Sequence, residues 1–383
     1  MSEVTGARFL RLNETKAEGS ELEYMQQALE NGHTSASGPF SVRARELIND
    51  WAGAGDVLLT TSCTAALEMS ALLLDIEPGD RVIVPSFTFV SSALAFVRAG
   101  AEVLFADIEP DTLALDPESV ADLMDERVRA VVTVHYGGIA GRIEELADLL
   151  PERTSLIEDN AHGMFAMKGD RPTGSYGRFS TLSFHDTKNF TCGEGGALVV
   201  NDHDDVDRAW VLFDKGTDRQ AFSRGEVDKY TWRDTGSSFG LSDVLAAYLV
   251  GQLEQKDQIL AERKRVFERY GDLLESQAGS LGVTLPSVPE DVVPGYHLFY
   301  VLMPDAESRS RALKSLREAG IGATFHYLPL HESPGGRRYG FAPRPLPVSE
   351  SVASRLIRLP FHNSLSDSDV DRVVEGFIEA ASK

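Results

Sequence analysis

Short apolar runs alternate with helical stretches over the first half of the chain, from about Asp56 to Asn201. The apolar runs predict seven strands, over residues 57–60, 81–84, 102–106, 130–134, 155–158, 179–184 and 197–200. The stretches between them predict helices over residues 64–74, 90–98, 118–127 and 143–150. Near-continuous apolar strands joined by helical crossovers indicate a mostly parallel sheet that is covered on both faces.

The pattern changes at Leu241, where apolar residues begin to recur at helical spacing. The recurring positions are Leu241, Val244, Leu245, Tyr248, Leu249 and Leu253. They predict a long helix that runs into a charged stretch near residues 262–269. Farther on, the pattern predicts strands over 296–303 and 323–327, a helix over 308–319, a Pro/Gly-rich loop over 334–347 and two closing helices. We therefore expect a large α/β domain over residues 1–250, and a connecting helix with a smaller α+β domain over residues 251–383.

Charge narrows the classes of function. The chain has 383 residues, with 37 Lys and Arg against 59 Asp and Glu, which gives a formal net charge of −22. Sequence-independent nucleic-acid binding uses basic side chains to neutralise phosphates, so this charge argues against it. Any anionic ligand must be held by local donors that act against an unfavourable overall field.

The sequence shows no pattern typical of a membrane, secreted or metal-binding protein. Its longest apolar runs, such as residues 71–74, fall far short of the roughly 20 residues that a membrane helix needs. Met1 is not followed by the basic and apolar stretches of a secretory signal. Two cysteines, Cys63 and Cys192, are too few for a disulfide scaffold or a four-ligand zinc site. We therefore expect a soluble cytoplasmic protein without a metal.

Two predicted strand ends carry polar residues that suit catalysis. The strand at 155–158 leads into Asp159, and the strand at 179–184 leads into a loop that contains Lys188. Ligands of such sheets bind at the carboxyl ends of the strands. A lysine and a carboxylate at this edge suit pyridoxal phosphate, because the lysine condenses with the cofactor aldehyde while the acid keeps the pyridine nitrogen protonated.

Two further segments suit the remaining parts of this cofactor. Residues 61–66 (TSCTAA) begin a predicted helix, and a helix N-terminus built of small residues favours a phosphate. Residues 85–89 (PSFTF) follow the second strand and offer an aromatic face for the ring. Each element alone also has an ordinary interpretation: Lys188 as a solvated residue, Asp159 as a helix cap, and the phenylalanines as core. Their common place at the strand ends favours the cofactor site.

Nucleotide-binding loops are missing from the sequence. Neither a Walker loop nor a Gly-x-Gly-x-x-Gly that opens a first helix is present, which disfavours kinases and nucleotide-dependent dehydrogenases. The glycines of residues 193–196 (GEGG) lie before a strand and predict a tight turn instead of a phosphate cradle.

Three motifs carry a family resemblance: EDNAHG at residues 158–163, SFHDTKN at 183–189 and GEGG at 193–196. With them the chain resembles the DegT/DnrJ/EryC1/StrS family of sugar-nucleotide aminotransferases, and the likeness covers nearly the whole chain. The resemblance implies the type I pyridoxal-phosphate-dependent transferase fold of aspartate aminotransferase. That fold has a large domain with a mostly parallel seven-stranded sheet and a smaller α+β C-terminal domain.

The resemblance also implies roles for individual residues. Lys188 is the implied catalytic residue, which holds the cofactor as a Schiff base and moves a proton during transfer. The other implied cofactor contacts are Asp159 at the pyridine nitrogen, His162 beside the ring hydroxyl, Cys63, Thr64 and Ser183 at the phosphate, Phe89 on the ring, and Ser237 from the partner subunit. The family implies a homodimer with two active sites at the subunit interface.

Two more segments, residues 224–238 and 325–331, resemble the family members that aminate C4 of a dTDP-linked keto sugar. They imply L-glutamate and a dTDP-keto sugar as substrates, in the biosynthesis of a cell-surface polysaccharide. Lys229 and His326 are the expected substrate contacts. Lys229 belongs to a cation-rich segment, residues 219–229, that we expect between the two domains.

Other outcomes stay open at this point. The substrate could be a C3 ketone or a UDP-linked sugar, the product could have the gluco configuration, and the chain could be a non-catalytic sugar-binding regulator. Some family members dehydrate the sugar instead of aminating it, and they carry a histidine in place of the lysine. Lys188 argues against that reaction here.

Overall fold

The computed structural model describes residues 8–383, and its largest feature is an eight-stranded sheet. The strands of the chain are β1 (Asp56–Thr60), β2 (Arg81–Pro85), β3 (Glu102–Ala106), β4 (Val128–Val134), β5 (Ser155–Asp159), β6 (Met167–Lys168), β7 (Arg171–Pro172), β8 (Phe179–Ser183), β9 (Gly196–Val200), β10 (Val292–Val293), β11 (Tyr300–Leu302), β12 (Gly340–Phe341) and β13 (Leu356–Arg358). The large sheet has the order β1-β9-β8-β5-β4-β2-β3-β12, and its neighbouring strands are parallel except where β9 pairs with β1 and β8. The mostly parallel sheet is confirmed, and the short strand β12 extends the seven predicted strands to eight.

Helices cover both faces of this sheet. The helices of the chain are α1 (Glu21–Glu30), α2 (Pro39–Ala52), α3 (Cys63–Leu73), α4 (Ser91–Ala99), α5 (Pro117–Ala121), α6 (Ile143–Leu149), α7 (Val206–Phe213), α8 (Arg219–Ser223), α9 (Asp243–Glu254), α10 (Lys256–Leu281), α11 (Ala306–Glu318), α12 (Pro334–Tyr339), α13 (Pro347–Arg355) and α14 (Asp367–Ala381). Alternate residues of a strand point to opposite faces. Leu58 packs with α3, α4 and α7, whereas Val57 and Leu59 pack with α2 and α9. This burial on both faces explains the continuous apolar strands.

A second, smaller unit follows the long helix α10. Its strands β11 and β13 pair antiparallel, and α10, α11 and α14 contribute to one apolar core with them. Helix α10 has 26 residues and buries Val266, Tyr270 and Leu274 in that core. Its opposite side is rich in Lys, Arg and Glu. No helix among the described residues is both long and apolar enough to cross a membrane.

Two short segments connect the two units. Leu10 is buried in the core of the smaller unit and forms a bridge with Ile321. In the other direction, β12 comes from the C-terminal part of the chain and pairs with β3 of the large sheet. The division of the chain at residues 250 and 251 stays a prediction. The smaller unit includes Leu10 from before that division, and the large sheet includes β12 from after it.

The predicted long helix after Leu241 is two helices in the structure. Helix α9 ends at Glu254 and α10 begins at Lys256, because Gln255 between them departs from helical geometry (φ −95°, ψ 19°). Helix α9 packs on the large sheet, whereas most of the buried residues of α10 belong to the smaller unit. A single straight helix could not bury apolar faces in both cores, and a periodic sequence does not reveal that change of direction.

Three other elements are shorter than the sequence indicated. The helix predicted over residues 118–127 ends at Ala121, because the Asp125 carboxylate accepts the backbone N–H of Arg127 at 2.8 Å and holds a turn there. The strand predicted over 296–303 covers only Tyr300–Leu302. The strand predicted over 323–327 is reduced to one bridge between Thr324 and Arg358.

Candidate active site

A cavity of about 440 Å³ lies at the carboxyl ends of β5 and β8, where residues of the smaller unit reach the large sheet. Because β5 and β8 are parallel neighbours, the residues that follow them meet at one edge. Eight of the ten site residues expected from the sequence line this cavity: Cys63, Thr64, Phe89, Asp159, His162, Ser183, Lys188 and His326. The expected juxtaposition of Asp159 and Lys188 is therefore confirmed, while the roles of the eight residues stay predictions.

Asp159 is the last residue of β5 and lies almost fully buried at the floor of the cavity. Its carboxylate accepts a hydrogen bond from Ser92 Oγ at 2.7 Å and one from the backbone N–H of Ala161 at 3.3 Å. Burial raises the pKa of Asp159, and these hydrogen bonds together with the Lys188 charge oppose that rise. A buried carboxylate of this kind is stabilised by a cationic partner, which a protonated pyridine nitrogen would supply.

Lys188 follows β8 in a turn and is enclosed by the cavity wall. Burial lowers the pKa of its amine from 10.5 to about 8, and the Arg358 charge acts in the same direction. Asp159 opposes the shift, because a nearby carboxylate favours the charged amine. An amine with this pKa is neutral far more often near pH 7 than an ordinary lysine, and the neutral form is the nucleophile and the base.

The N-terminus of α3 forms one end of the cavity. Ser62 caps the helix, with its Oγ accepting the backbone N–H of Ala65 at 3.1 Å. The first N–H groups of a helix have no partner within it and favour an anion. Thr64 Oγ1 shares a hydrogen bond of 2.7 Å with Ser91 Oγ, and Ser183 lies at the end of β8 opposite the helix. This combination of N–H and hydroxyl donors suits a phosphate.

A glycine turn between β8 and β9 lies directly against this helix terminus. The turn is closed by hydrogen bonds from the Asp186 N–H to the Gly193 carbonyl at 3.0 Å and from the Phe184 N–H to the Gly195 carbonyl at 2.8 Å. Gly193 has a φ of 87°, which glycine adopts without strain. A Cβ on Gly196 would lie 2.3 Å from the Cys63 nitrogen, so only glycine allows this approach. The prediction of a tight turn is confirmed.

His162 presents a neutral imidazole to the cavity. Its ring stacks on His297 at a centroid distance of 4.0 Å, and burial holds the pKa of His162 well below the ordinary value. The backbone N–H of Gly137 donates to Nδ1 at 3.3 Å, so the single ring proton lies on Nε2. His162 can therefore donate a hydrogen bond to an oxygen such as the ring hydroxyl of the cofactor.

Phe89 supplies an aromatic face at the rim. It lines the cavity and remains 56% exposed, which is unusual for a large apolar side chain next to a buried core. Its ring centroid lies 6.2 Å from that of Tyr327. A planar heteroaromatic ring in the cavity would cover this exposed face.

Several residues that line or support the cavity were not expected from the sequence. His297, Tyr327 and Arg358 line it from the smaller unit, and Ser92 supports Asp159 from α4. Arg358 had a visible signal, because it is a lone cation within the apolar run LIRLPF of residues 356–361. The others come from separate parts of the chain, so no local pattern connects them with the cofactor.

Lys229 and Ser237 lie outside the cavity of a single chain, and both are exposed. They belong to a surface segment that folds back on itself, with bridges between Thr217 and Trp232 and between Asp214 and Ser238. The expectation that residues 219–229 lie between the two domains is wrong. The segment packs beside α7, where Arg224 lies 3.9 Å from the Asp207 carboxylate and also pairs with Glu226 of the segment itself.

The sequence and the fold were compared with those of known proteins. Residues 15–378 match the model of the DegT/DnrJ/EryC1/StrS aminotransferase family. The chain belongs to this family. This aminotransferase is 31% identical over 365 residues to the spore coat polysaccharide biosynthesis protein SpsC of Bacillus subtilis, covering 93% of the chain and 92% of the relative.

Two further relatives are similar to this aminotransferase. The dTDP-4-dehydro-2,3,6-trideoxy-D-glucose 4-aminotransferase of Saccharopolyspora spinosa is 31% identical over 330 residues, covering 85% of the chain and 84% of the relative. The crystal structure of the aminotransferase TlmJ from Streptoalloteichus hindustanus superposes with a TM-score of 0.89 at 29% identity, covering 97% of this chain and 99% of that one. The type I transferase fold expected from the sequence is therefore confirmed.

Pyridoxal phosphate is the cofactor of this aminotransferase, as the sequence indicated. The residues that line the cavity have the chemical groups that this cofactor needs. They provide a lysine of lowered pKa, a buried carboxylate, a helix N-terminus with hydroxyl groups and an exposed aromatic face. Each of these corresponds to one part of the cofactor: its aldehyde, its ring nitrogen, its phosphate and its ring face.

Proposed function

We propose that this aminotransferase transfers the amino group of L-glutamate to C4 of dTDP-4-dehydro-6-deoxy-D-glucose. The products are dTDP-4-amino-4,6-dideoxy-D-galactose and 2-oxoglutarate. The observation that carries the reaction type is the pair of the half-buried Lys188 and the buried Asp159 in one cavity. Two points support the substrate: the Saccharopolyspora spinosa relative is named for a dTDP-linked 4-keto sugar, and residues 224–238 and 325–331 resemble dTDP-4-amino-4,6-dideoxygalactose transaminase.

The cofactor contacts follow from the donors around the cavity. Lys188 would hold pyridoxal phosphate covalently and Asp159 would pair with its ring nitrogen. The remaining contacts would be the N-terminus of α3 with Cys63, Thr64 and Ser183 at the phosphate, His162 at the ring hydroxyl and Phe89 on the ring face. When bound, the cofactor supplies an electron-accepting ring that acidifies the α-proton of the donor and carries the amino group between the substrates.

Lys188 moves protons in both halves of the reaction. With the cofactor bound, its neutral amine would remove the α-proton of glutamate and would later deliver a proton to C4 of the sugar. The lowered pKa suits both tasks, since an amine with a pKa of about 8 both accepts and donates protons at cellular pH. Glutamate reacts and 2-oxoglutarate leaves before the sugar is aminated, so we expect ping-pong kinetics.

A second copy of the chain completes the site in this proposal. Ser237 is exposed and does not line the cavity of its own chain, which is consistent with a contact to the phosphate of a partner subunit. Lys229 lies in the same surface segment and is proposed as a contact to the diphosphate of the sugar nucleotide. We therefore propose a homodimer in which each surface segment reaches the partner's cavity.

The test follows the visible absorption of the bound cofactor. Glutamate should remove this absorption, and dTDP-4-dehydro-6-deoxy-D-glucose should restore it, with the C4 configuration of the product assigned by NMR coupling constants. Lys188→Ala should abolish both changes. The matched control is Lys314→Ala, because that side chain on α11 is 80% exposed and remote from the cavity.

Each alternative predicts a different result. Recovery with a C3-keto or UDP-linked sugar, but not with the dTDP-linked C4 ketone, would contradict the substrate and keep the reaction type. A gluco product would contradict only the stereochemistry. If glutamate left the absorption unchanged and keto sugars still bound, the protein would be a non-catalytic sugar-binding regulator instead of an enzyme.

A further inference from the structure

His297 is a buried imidazole in the wall of the cavity, and the proposed reaction has assigned no contact to it. It lies just before β11 and reaches the cavity from the smaller unit. Burial holds the pKa of His297 well below its ordinary value, and the charge of Lys188 acts in the same direction. The ring is therefore neutral, with one nitrogen that donates a hydrogen bond and one that accepts.

Asn189 decides which nitrogen of His297 carries the proton. The Asn189 amide donates from Nδ2 to the Gly295 carbonyl, so its Oδ1 faces the imidazole. This oxygen accepts a hydrogen bond of 2.9 Å from Nδ1 of His297. The ring proton thus lies on Nδ1, and Nε2 is an acceptor. Among the described residues no donor forms a hydrogen bond with Nε2, so this nitrogen is left for a ligand of the cavity.

The turn after β4 holds His297 and His162 as a fixed pair. Gly137 donates its N–H to His162 Nδ1, and its carbonyl accepts the backbone N–H of His297 at 3.1 Å. The two rings stack with a centroid distance of 4.0 Å and an angle of 23° between their planes. His162 therefore presents a donor and His297 presents an acceptor to one cavity. Such fixed groups select a ligand, because a buried polar atom without a partner is unfavourable.

The donor that fits His297 comes with the sugar. In the proposed binding mode the cofactor phosphate accepts hydrogen bonds, the ring nitrogen pairs with Asp159 and the ring hydroxyl oxygen accepts from His162. The carboxylates of glutamate are ionised at cellular pH and only accept, and its amino group is the group that is transferred. The hydroxyl groups of the sugar are the donors that remain.

We propose that Nε2 of His297 accepts a hydrogen bond from the sugar hydroxyl next to the ketone, which is the 3-hydroxyl of a 4-keto sugar. The proposal rests on the proposed function, in which a keto sugar receives the amino group. His297 is near the reacting carbon, because Asn189, which binds its ring, is the chain neighbour of Lys188. The 3-hydroxyl is on the carbon bonded to C4, whereas the other neighbour, C5, carries the ring oxygen and a methyl group.

This contact would make His297 a specificity-determining residue. A sugar without the hydroxyl leaves Nε2 unpaired in a buried wall, and a site built to bind a hydroxyl discriminates strongly against an analogue that lacks it. The Saccharopolyspora spinosa relative is named for a 2,3,6-trideoxy sugar, which has no 3-hydroxyl. We expect the aminotransferase described here to discriminate against sugars of that kind.

A comparison of two sugars in wild type and variants tests the contact. After treatment of the holoenzyme with glutamate, kcat/KM for the return of visible absorption is measured with dTDP-4-dehydro-6-deoxy-D-glucose and with its 3-deoxy analogue. Wild type should prefer the 3-hydroxyl by about 30-fold. His297→Phe keeps a flat ring for the stack without an acceptor, and its preference should fall below about threefold. His297→Gln restores an acceptor oxygen and should retain a preference of about 10-fold.

His203→Phe is the matched control for these variants. His203 is exposed in the turn before α7 and does not line the cavity, so the preference should equal that of wild type. A binding measurement without turnover accompanies the kinetics. Calorimetric titration uses dTDP-6-deoxy-D-glucose, which has no ketone, and its 3-deoxy and 2-deoxy analogues. The 3-deoxy sugar should bind wild type about 10-fold more weakly or worse, and the 2-deoxy sugar within about threefold of the parent. This measurement needs only wild type if His297→Phe does not fold.

The outcomes separate this proposal from the proposed substrate. If a C3 ketone or a UDP-linked sugar is the substrate, the comparison uses the analogue that lacks the hydroxyl next to that ketone. The same loss of preference in His297→Phe then leaves the role of His297 standing while the proposed substrate is wrong. Wild-type values for the parent and 3-deoxy sugars within about threefold of each other overturn the role. A His297→Phe protein with the wild-type preference, or a larger loss from removing the 2-hydroxyl, overturns it too.

Discussion

Replacing Lys188 by methionine should make the cofactor-free protein more stable at neutral pH. Burial lowers the pKa of Lys188 from 10.5 to about 8, so the folded state binds the lysine proton less tightly than the unfolded chain. Below pH 8 the folded protein therefore carries an unfavourable buried charge, and this penalty declines as the pH rises from 8 toward 10.5. Methionine has a similar length and no charge, so it removes the penalty while keeping most of the packing.

The size of the effect follows from the pKa shift. At about 1.4 kcal/mol per pKa unit, the penalty amounts to about 3 kcal/mol at pH 7. At pH 9.5 the folded amine is already neutral. The penalty is then the cost of removing the proton from the unfolded lysine, about 1.5 kcal/mol for the one unit between pH 9.5 and the pKa of 10.5. The gain in free energy of unfolding should thus fall by about half between these pH values.

Urea unfolding of the cofactor-free wild type and Lys188→Met, at about pH 7 and about pH 9.5, measures this gain. Lys314→Met is the control, because that lysine is 80% exposed and should gain nothing at either pH. A Lys188→Met protein that is less stable than wild type at pH 7 would refute the reasoning. A gain of equal size at both pH values would refute it as well, because packing instead of charge would then explain it.

Three further substitutions test the cofactor contacts. Asp159→Asn removes the charge proposed at the pyridine nitrogen and should lower the rate with glutamate by about 100-fold or more in a single-turnover assay; a rate within about threefold of wild type would contradict that role. Phe89→Ala should raise the Kd of the cofactor by about 3- to 10-fold in a fluorescence titration, and an unchanged Kd would argue against stacking. Gly196→Ala would place a Cβ 2.3 Å from the Cys63 nitrogen and should strongly weaken cofactor binding, whereas Gly271→Ala, whose Cβ meets nothing within 4 Å, should leave it unchanged. Equal affinities of the two glycine variants would count against the proposed phosphate site.

The central part of the site could be predicted because it depends on short-range patterns. Asp159 and Lys188 each follow an apolar run, and the strands β5 and β8 are parallel neighbours, so their ends necessarily meet. The N-terminus of α3 was visible in the same way, as small polar residues after a strand. A strand end or a helix start is set by a few consecutive residues, and such positions in a parallel sheet converge on one edge.

The rest of the site depends on how distant parts of the chain pack. Arg358 and His297 reach the cavity only because the smaller unit docks at that edge of the sheet. Residues 323–327 look like a strand, yet His326 and Tyr327 turn toward the cavity and only one backbone pair forms there. The place of residues 219–229 depends on local ion pairs beside α7, which the spacing of charges does not reveal. These features are tertiary, so periodicity carries no record of them.

The strand β12 has a consequence for dividing this polypeptide into pieces. A break at residues 250 and 251 would cut helix α9, leave the first fragment without the strand at one edge of its sheet, and leave the second without Leu10 in its core. Each fragment would then expose a surface that only the other one matches. We expect two such fragments, produced together, to reassemble into one active molecule, which would make this enzyme a candidate for split-reporter complementation.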